Sequence, residues 1–245
     1  MSVINCKRVL LKLSGEALAA SSGFGIDVNT IQPVIDNIHG VIQKYSLELA
    51  IVIGGGNILR GGRAAFKDKI HRNTADQMGM LATMINGLAL RDILTKNGIK
   101  AIAFSAKSID GVLDTVDIIK AKQFLSDGYV VIFSGGTGNP FVTTDSAASL
   151  RAVEIEADAI LKATTVNGVY DSDPNKNKNA KKYDKISFTE ALQQGLAVMD
   201  IAAFAQCREF NIPICVFNLD TENVISRVLS GERVGTWVTG GNESD

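Results

Sequence analysis

The sequence predicts an α/β protein, a largely parallel sheet covered on both faces by helices. Short apolar runs alternate along the chain with longer amphipathic ones, the pattern of strands joined by crossover helices. The strand-like runs are continuously apolar rather than alternating, as expected of strands buried on both faces. The composition is that of a folded chain: 46% apolar and 21% charged over 245 residues excludes disorder as the main state. At ~150 residues per domain the length suggests one large domain or two closely joined ones. No linker separates two halves, and a soft boundary falls near residues 140–150.

Arg8 to Leu13 reads as a buried strand. Ile31 to Tyr45 carries Ile31, Val34, Ile35, Ile38, Val41 and Ile42 at helical spacing. Leu47 to Ile53 is a strand running into three glycines. Asn73 to Asn97 is a long helix stopped by Gly98. Lys100 to Phe104 is a strand, Val116 to Ser126 a helix, Tyr129 to Phe133 a strand. Asp145 to Glu156 is a helix, and Ala159 to Leu161 begins a strand that Thr164 ends. The lysine- and asparagine-rich stretch 171–182 is a solvated loop. A helix around Ala202, a strand from Pro213 to Phe217, a helix from Glu222 to Leu229 and a strand at Thr236 to Val238 complete the chain.

The charge balance, 25 basic against 26 acidic side chains, argues against a protein that coats nucleic acid or anionic membrane. Cys6, Cys207 and Cys215 form no C-x-x-C pair, which offers no zinc template and fits a reducing compartment. Two histidines, His39 and His71, exclude a multi-histidine metal site. The N-terminus carries no secretory signal and no apolar stretch reaches ~18 residues. A cytoplasmic protein is the expectation.

In open α/β sheets ligands bind beyond the carboxyl ends of strands, and four strand ends stand out here. Lys12 sits in an apolar strand before Ser14-Gly15. A buried ammonium must meet an anion or reach solvent, so Lys12 is either a phosphate ligand or an edge-strand lysine. Gly54, Gly55 and Gly56 follow the second strand, with Arg60 able to offer a fork of donors. Three glycines favour close approach of backbone amides to an anion over a simple tight turn. Ser134 to Asp145 combines glycines, hydroxyls, Pro140 and Phe141, with Thr144 or Asp145 as the N-cap of the next helix. That is an anion and ribose site or a structural loop. Asp158 and Lys162, at even spacing, share one strand face. They form a charge relay at a phosphoryl site or an internal salt bridge. Tyr170, Asp171 and Asp173 follow the Asn167-Gly168 turn, and Asp76 on the long helix either meets a sugar or is solvated.

P-loop, complete dinucleotide-binding, nucleophile-elbow and zinc-protease motifs are all absent. A site of Lys, Arg, Asp, Thr and Gly without a His or Cys nucleophile suits phosphoryl transfer, which needs positioning and charge neutralisation.

The segments KLSGEAL at 12–18, GFGID at 23–27, VIGGGN at 52–57, DQMGMLAT at 76–83, TGNPF at 137–141, TTDSAA at 143–148 and EIEAD at 154–158 together resemble the bacterial uridylate (UMP) kinases of the amino-acid kinase superfamily. The resemblance spans about residues 7–238. It implies a single-domain three-layer αβα sandwich over 1–245, the amino-acid kinase fold, with a UMP-side lobe over about 1–145 and an ATP-side lobe over about 146–245. It implies transfer from Mg²⁺-ATP to UMP in pyrimidine nucleotide synthesis, by a homohexamer built as a trimer of dimers, without nucleic acid or membrane. Lys12, Leu13, Ser14, Gly15, Gly56, Arg60, Thr164, Tyr170 and Asp173 would bind ATP. Gly55, Asp76, Thr137, Gly138, Asn139, Pro140, Phe141, Val142, Thr143 and Thr144 would bind UMP. Lys12, Arg60, Asp158 and Lys162 would be catalytic, and Mg²⁺ would ride on the ATP phosphates. Ala20, Ser21, Ser22, Gly23, Phe24, Gly25 and Arg91 match the region where GTP activates some members, although Thr95 and Asp117-Ile118 depart from the His and Trp found there in some. UTP would inhibit by competing with UMP. The alternatives weighed are a kinase acting on carbamate, acetylglutamate or aspartate, a non-catalytic nucleotide-binding protein and, more distantly, a dehydrogenase.

Overall fold

The computed structural model describes residues 6–59 and 69–240. Among these residues nine strands form one sheet: β1 (Arg8–Leu13), β2 (Glu48–Ile53), β3 (Ala101–Ser105), β4 (Asp114–Thr115), β5 (Val130–Ser134), β6 (Ala159–Thr164), β7 (Lys185–Ser187), β8 (Ile214–Asn218) and β9 (Thr236–Thr239). Their spatial order is β4-β3-β5-β2-β1-β6-β8-β9-β7. All neighbours run parallel except β8 and β9, which are antiparallel. Among the described residues seven α-helices cover the sheet: α1 (Val28–Tyr45), α2 (Arg72–Lys96), α3 (Ile118–Ser126), α4 (Thr144–Glu154), α5 (Phe188–Gln193), α6 (Ile201–Glu209) and α7 (Val224–Leu229).

Alternate residues of each continuous apolar strand enter different cores. Val9, Leu11 and Leu13 of β1 join Ile31, Ile35 and Ile38 of α1 on one face. Leu10 joins Ala147, Ala148 and Ala152 of α4 on the other. The strand period of two therefore puts Lys12 on the α4 face, beside Leu10. Lys162 shares that face through Ile160. In the β1–β6 register Lys12 is the direct partner of Lys162.

Helix ends follow local chemistry. The Asp27 side chain accepts the Asn29 N–H and starts α1 at Val28, three residues before the expected start. Gly98, at φ +78°, ends α2 where the sequence places the stop. The cap of α4 is Thr143, not Thr144 or Asp145: its hydroxyl accepts from the Asp145 and Ser146 N–H groups. Asp145 thereby becomes a first-turn residue with its carboxylate free to reach the sheet. The short elements β4, β7 and α5 were not expected; none is longer than six residues, too short for a periodic signal.

Candidate active site

Chain order across the sheet decides where a ligand can enter. From β1 the chain moves to β2 on one side, whereas from β6 it moves towards β8 and β9 on the other. The gap beyond the carboxyl ends of β1 and β6 is therefore the topological switch point, and Lys12 and Lys162 stand beside it.

Two ammonium groups on adjacent strands need an anion between them, and Asp145 supplies it. Lys162 Nζ donates to Asp145 Oδ2 at 2.7 Å and to the Val198 carbonyl at 2.6 Å. Lys12 Nζ lies 3.0 Å from Asp145 Oδ1. Among the described residues this ion pair is the charged contact that Lys12 makes. Side-chain exposures of 12–16% keep the trio in a low dielectric. Burial alone would raise the Asp145 carboxyl, but the two ammonium groups hold it below the usual carboxylate range. Burial, reinforced by repulsion from Lys12, lowers the Lys162 ammonium against the pull of Asp145 and Asp200. The trio keeps one net positive charge at the switch point.

Asp158 is not part of this cluster, which corrects the expected relay with Lys162. It precedes β6, and its carboxylate accepts the Lys7 and Arg8 N–H groups at 2.7 and 2.8 Å. Four residues of strand, about 13 Å, separate it from Lys162. Asp158 lies just outside the strand that carries Lys162, and the two residues serve opposite ends.

The glycine triplet is built differently from the expectation. None of Gly54, Gly55 and Gly56 has a positive φ. A Cβ on Gly54 would lie 3.0 Å from the Gly15 nitrogen, and one on Gly55 would lie 2.8 Å from Ala82 Cβ and 3.0 Å from the Gly79 carbonyl. These two glycines serve packing against β1's turn and α2. Gly56 alone opens into empty space. Gly15 is likewise a packing glycine, since its Cβ would come within 2.6 Å of the Gly56 nitrogen. Leu13 is wholly buried in the core and can offer a ligand only its backbone; its carbonyl accepts the Gly54 N–H at 2.9 Å.

A cleft of about 290 Å³ opens between the triplet, α2 and the loop after β5. Gly55, Gly56, Asp76, Asn139, Val142, Thr143 and Thr144 line it, together with Gly136 and Thr83. Gly56 thus faces the cleft expected for the acceptor, not the one beside Ser14. Gly136 and Gly138 hold left-handed conformations (φ +59° and +81°) that shape the loop. Thr137, Gly138, Pro140 and Phe141 belong to the same loop but are not among the residues that line the cleft. The Thr137 hydroxyl accepts the Asn139 N–H at 3.3 Å. Phe141, itself at φ +68°, donates its N–H to Asp76 at 2.9 Å, while its exposed ring lies 5.5 Å from the Arg72 guanidinium. Arg72 also pairs with Asp76 at 2.8 Å.

A second, smaller cleft of about 90 Å³ lies across the switch point, between Ser14, Glu16, Thr164, Thr165 and Asp220. The Thr164 hydroxyl donates to the Phe217 carbonyl at 3.1 Å and bonds Val166. Tyr170 bridges to Lys182 across the loop, and Asp173 accepts the Asn175 N–H at 2.9 Å; neither lines either cleft. Arg60 lies outside the described residues.

Gly25, in the segment 20–25, donates to the Asn57 carbonyl at 2.9 Å and accepts from Asn57 Nδ2 at 2.8 Å. Arg91 lies towards the end of α2, where its carbonyl accepts the Thr95 hydroxyl. Burial pushes the Cys6 thiol up to about 11 and that of Cys207 to about 12, and raises Cys215 too.

Sequence reasoning missed Asp145 as the lysines' partner. Two lysines on one sheet face were the signal that an anion had to exist. It also missed Asn57 and Asn86, fully buried residues whose amides bond one another at 2.6 and 3.0 Å, with Asn86 also holding the Gly54 carbonyl at 2.7 Å. A polar residue directly after a glycine triplet was the available clue.

The amino acid kinase family model matches residues 7–218. A protein named uridylate kinase from Francisella tularensis subsp. holarctica is 58% identical over 233 residues, 95% of this chain and 93% of that one. Another from Pseudoalteromonas atlantica is 50% identical over 230 residues, 94% and 92% of the two chains. The crystal structure of UMP kinase from Bacillus anthracis superposes with a TM-score of 0.92 at 40% identity, covering 97% of each chain. That from Ureaplasma parvum gives 0.88 at 41% identity, covering 95% of this chain and 98% of its own. With a sequence match across nearly the whole length and the same fold around the Lys12–Asp145–Lys162 cluster, the chain belongs to the amino acid kinase family and, within it, to the uridylate kinases.

Proposed function

We propose that the protein transfers the γ-phosphoryl group of ATP to UMP, giving ADP and UDP for pyrimidine nucleotide synthesis. The observation that carries the reading is the net-positive Lys12–Asp145–Lys162 cluster at the switch point between two clefts. UMP occupies the larger cleft, in the lobe of residues 1–145. Asp76 faces its ribose, and the N-terminus of α4 at Thr144 faces its phosphate. ATP enters on the side of residues 146–245, with its phosphates beside Ser14, Gly15 and Thr164 and its nucleoside towards Tyr170 and Asp173.

A UMP phosphate oxygen, already ionised near neutral pH, attacks the γ-phosphorus in line, so no protein base is required. Lys12 and Arg60 neutralise the equatorial oxygens. Lys162 acts through Asp145, holding that carboxylate so that Lys12 points at the transferred group. Among the described residues no group of three or more carboxylate, His or Cys side chains could hold a metal, and Asp145 is engaged by lysines. On this reading Mg²⁺ would be carried by the ATP phosphates, where it would supply charge neutralisation.

The same reading includes a homohexamer assembled as a trimer of dimers. Leu81 and Ile85, about half exposed on one face of α2, offer an apolar contact for a second copy. GTP activation through residues 20–25 and Arg91 finds support in the paired Gly25–Asn57 hydrogen bonds, which join that segment to the triplet. UTP competes with UMP for the larger cleft. A cytoplasmic setting rests on the three free thiols.

Purified protein with Mg²⁺-ATP and a panel of UMP, CMP, dUMP, AMP and acetylglutamate should release ADP with UMP alone. Turnover of acetylglutamate without UMP turnover, or no UDP with or without GTP, overturns the reading.

A further inference from the structure

Asp200 has no place in either substrate set, yet its carboxylate joins two helices at the site. It caps α6, accepting the Ala203 N–H at 2.9 Å on Oδ1. It also accepts the Thr143 hydroxyl on Oδ2, and the Ser146 hydroxyl at 3.0–3.1 Å on both oxygens. Thr143 is itself the cap of α4. One carboxylate thus sits at two helix N-termini, where both dipoles favour a negative charge. Two residues upstream, the Val198 carbonyl accepts from Lys162 Nζ. The segment 198–200 therefore grips both the lysine and the helix turn that carries Asp145.

We infer that Asp200 is a positioning residue for phosphoryl transfer: by holding Thr143 and Ser146 it fixes the first turn of α4 and sets Asp145 between Lys12 and Lys162. The hydroxyl of Thr143 accepts two backbone N–H groups and donates to Asp200, so its one hydrogen is committed. Without the Asp200 acceptor, the turn bearing Asp145 and Thr144 keeps its bond to Lys162 but loses the hydroxyl links that fix it against α6. The effect falls on alignment of the transferred group rather than on donor binding.

Asp200→Asn separates this role from simple capping. Asparagine caps helices about as well as aspartate, so Oδ1 can still accept from Ala203. Its NH₂ group then faces the Thr143 oxygen, which already accepts two N–H groups, so the Thr143 link is lost and only the Ser146 hydroxyl can still donate to Oδ1. The inference rests on the proposed site, so Lys12→Ala is measured alongside. The expected result for Asp200→Asn is a melting temperature close to wild type, kcat reduced at least tenfold and KM for ATP within twofold. Asp200→Ala should lose both the α6 cap and the activity. Ser187→Ala, which removes the cap of α5, should lower the melting temperature and leave kcat unchanged. A kcat for Asp200→Asn within twofold of wild type, or a raised KM for ATP with kcat unchanged, overturns the inference. Should Asp200→Ala fail to fold, Asp200→Asn decides alone. Full activity in Lys12→Ala overturns the site itself. Loss in Lys12→Ala with wild-type kcat in Asp200→Asn overturns only the role of Asp200.

Discussion

The two ends of β6 carry the same kinds of residue and do opposite things. At the amino end Asp158 turns back onto β1 and takes two backbone N–H groups, Lys7 and Arg8. At the carboxyl end Lys162 and its neighbour Lys12 converge on Asp145 from α4. The difference lies in what a parallel sheet brings to each end. Helices following the strands present their N-termini beyond the carboxyl ends, with unsatisfied N–H groups and a positive dipole. The amino end offers the start of a neighbouring strand, which a single carboxylate satisfies. One end anchors the start of a strand; the other gathers two ammonium groups on one carboxylate and keeps a spare positive charge.

The largest expected effect tests that spare charge. Lys12→Ala should lower kcat ~10²–10³-fold in the UMP assay, the loss that follows removal of one strong electrostatic stabiliser. A near-wild-type rate would break the comparison outright.

Asp145→Ala leaves two ammonium groups facing each other without their anion. Removing one partner of a buried charge cluster costs ~3 kcal/mol, taken at the low end because the side chains keep some solvent contact. Urea unfolding at pH 7 measures it. The pH dependence has a definite sign. The Asp145 carboxyl is lowered in the fold, so its stabilisation is complete above its ordinary value of 3.8 and is lost as pH falls below that value. The gap between wild type and variant should therefore close in acid. A gap that persists undiminished at pH 2 would remove the ion pair as its cause.

Gly55 and Gly56 sharpen the picture within one loop. Gly55→Ala must push into α2 backbone and should cost ~1–3 kcal/mol, the usual price of overpacking. Gly56→Ala has room and should fold with wild-type stability while raising KM for UMP. Equal melting temperatures for the two variants would contradict the packing role of Gly55.

The smallest effect belongs to the amino end. Asp158→Asn should lose ~1 kcal/mol, the order of a net hydrogen bond, with kcat within twofold of wild type. A tenfold fall in kcat would return Asp158 to the catalytic set and erase the distinction between the ends.

Much of the fold was legible because its signals are local. Continuous apolar runs marked β1, β2, β5 and β8, and helical spacing marked α1. Lys12 was legible as a charged residue inside an apolar strand. Asp158 misled because strand parity places residues on a face but is silent about which end they serve. The triplet misled in a related way. Three glycines signal close approach, but whether to a ligand or to the chain's own backbone depends on where Gly15 and α2 lie. Thr143, Thr144 and Asp145 are all acceptable caps by residue type, and the choice among them decided whether Asp145 would be spent on its own helix.

The sequence alone determined the α/β class, the buried strands, the family and the need for an anion near Lys12. These follow from composition, periodicity and desolvation cost, which act within a few residues. Tertiary structure alone decided that the anion is Asp145, 133 positions from Lys12 in the chain, and that Asp200 ties it in place. The reason is geometric. Strand order puts β6 beside β1, and the crossover after β5 lays α4 over their carboxyl ends. Only then do charges distant in the chain come within 3 Å of one another.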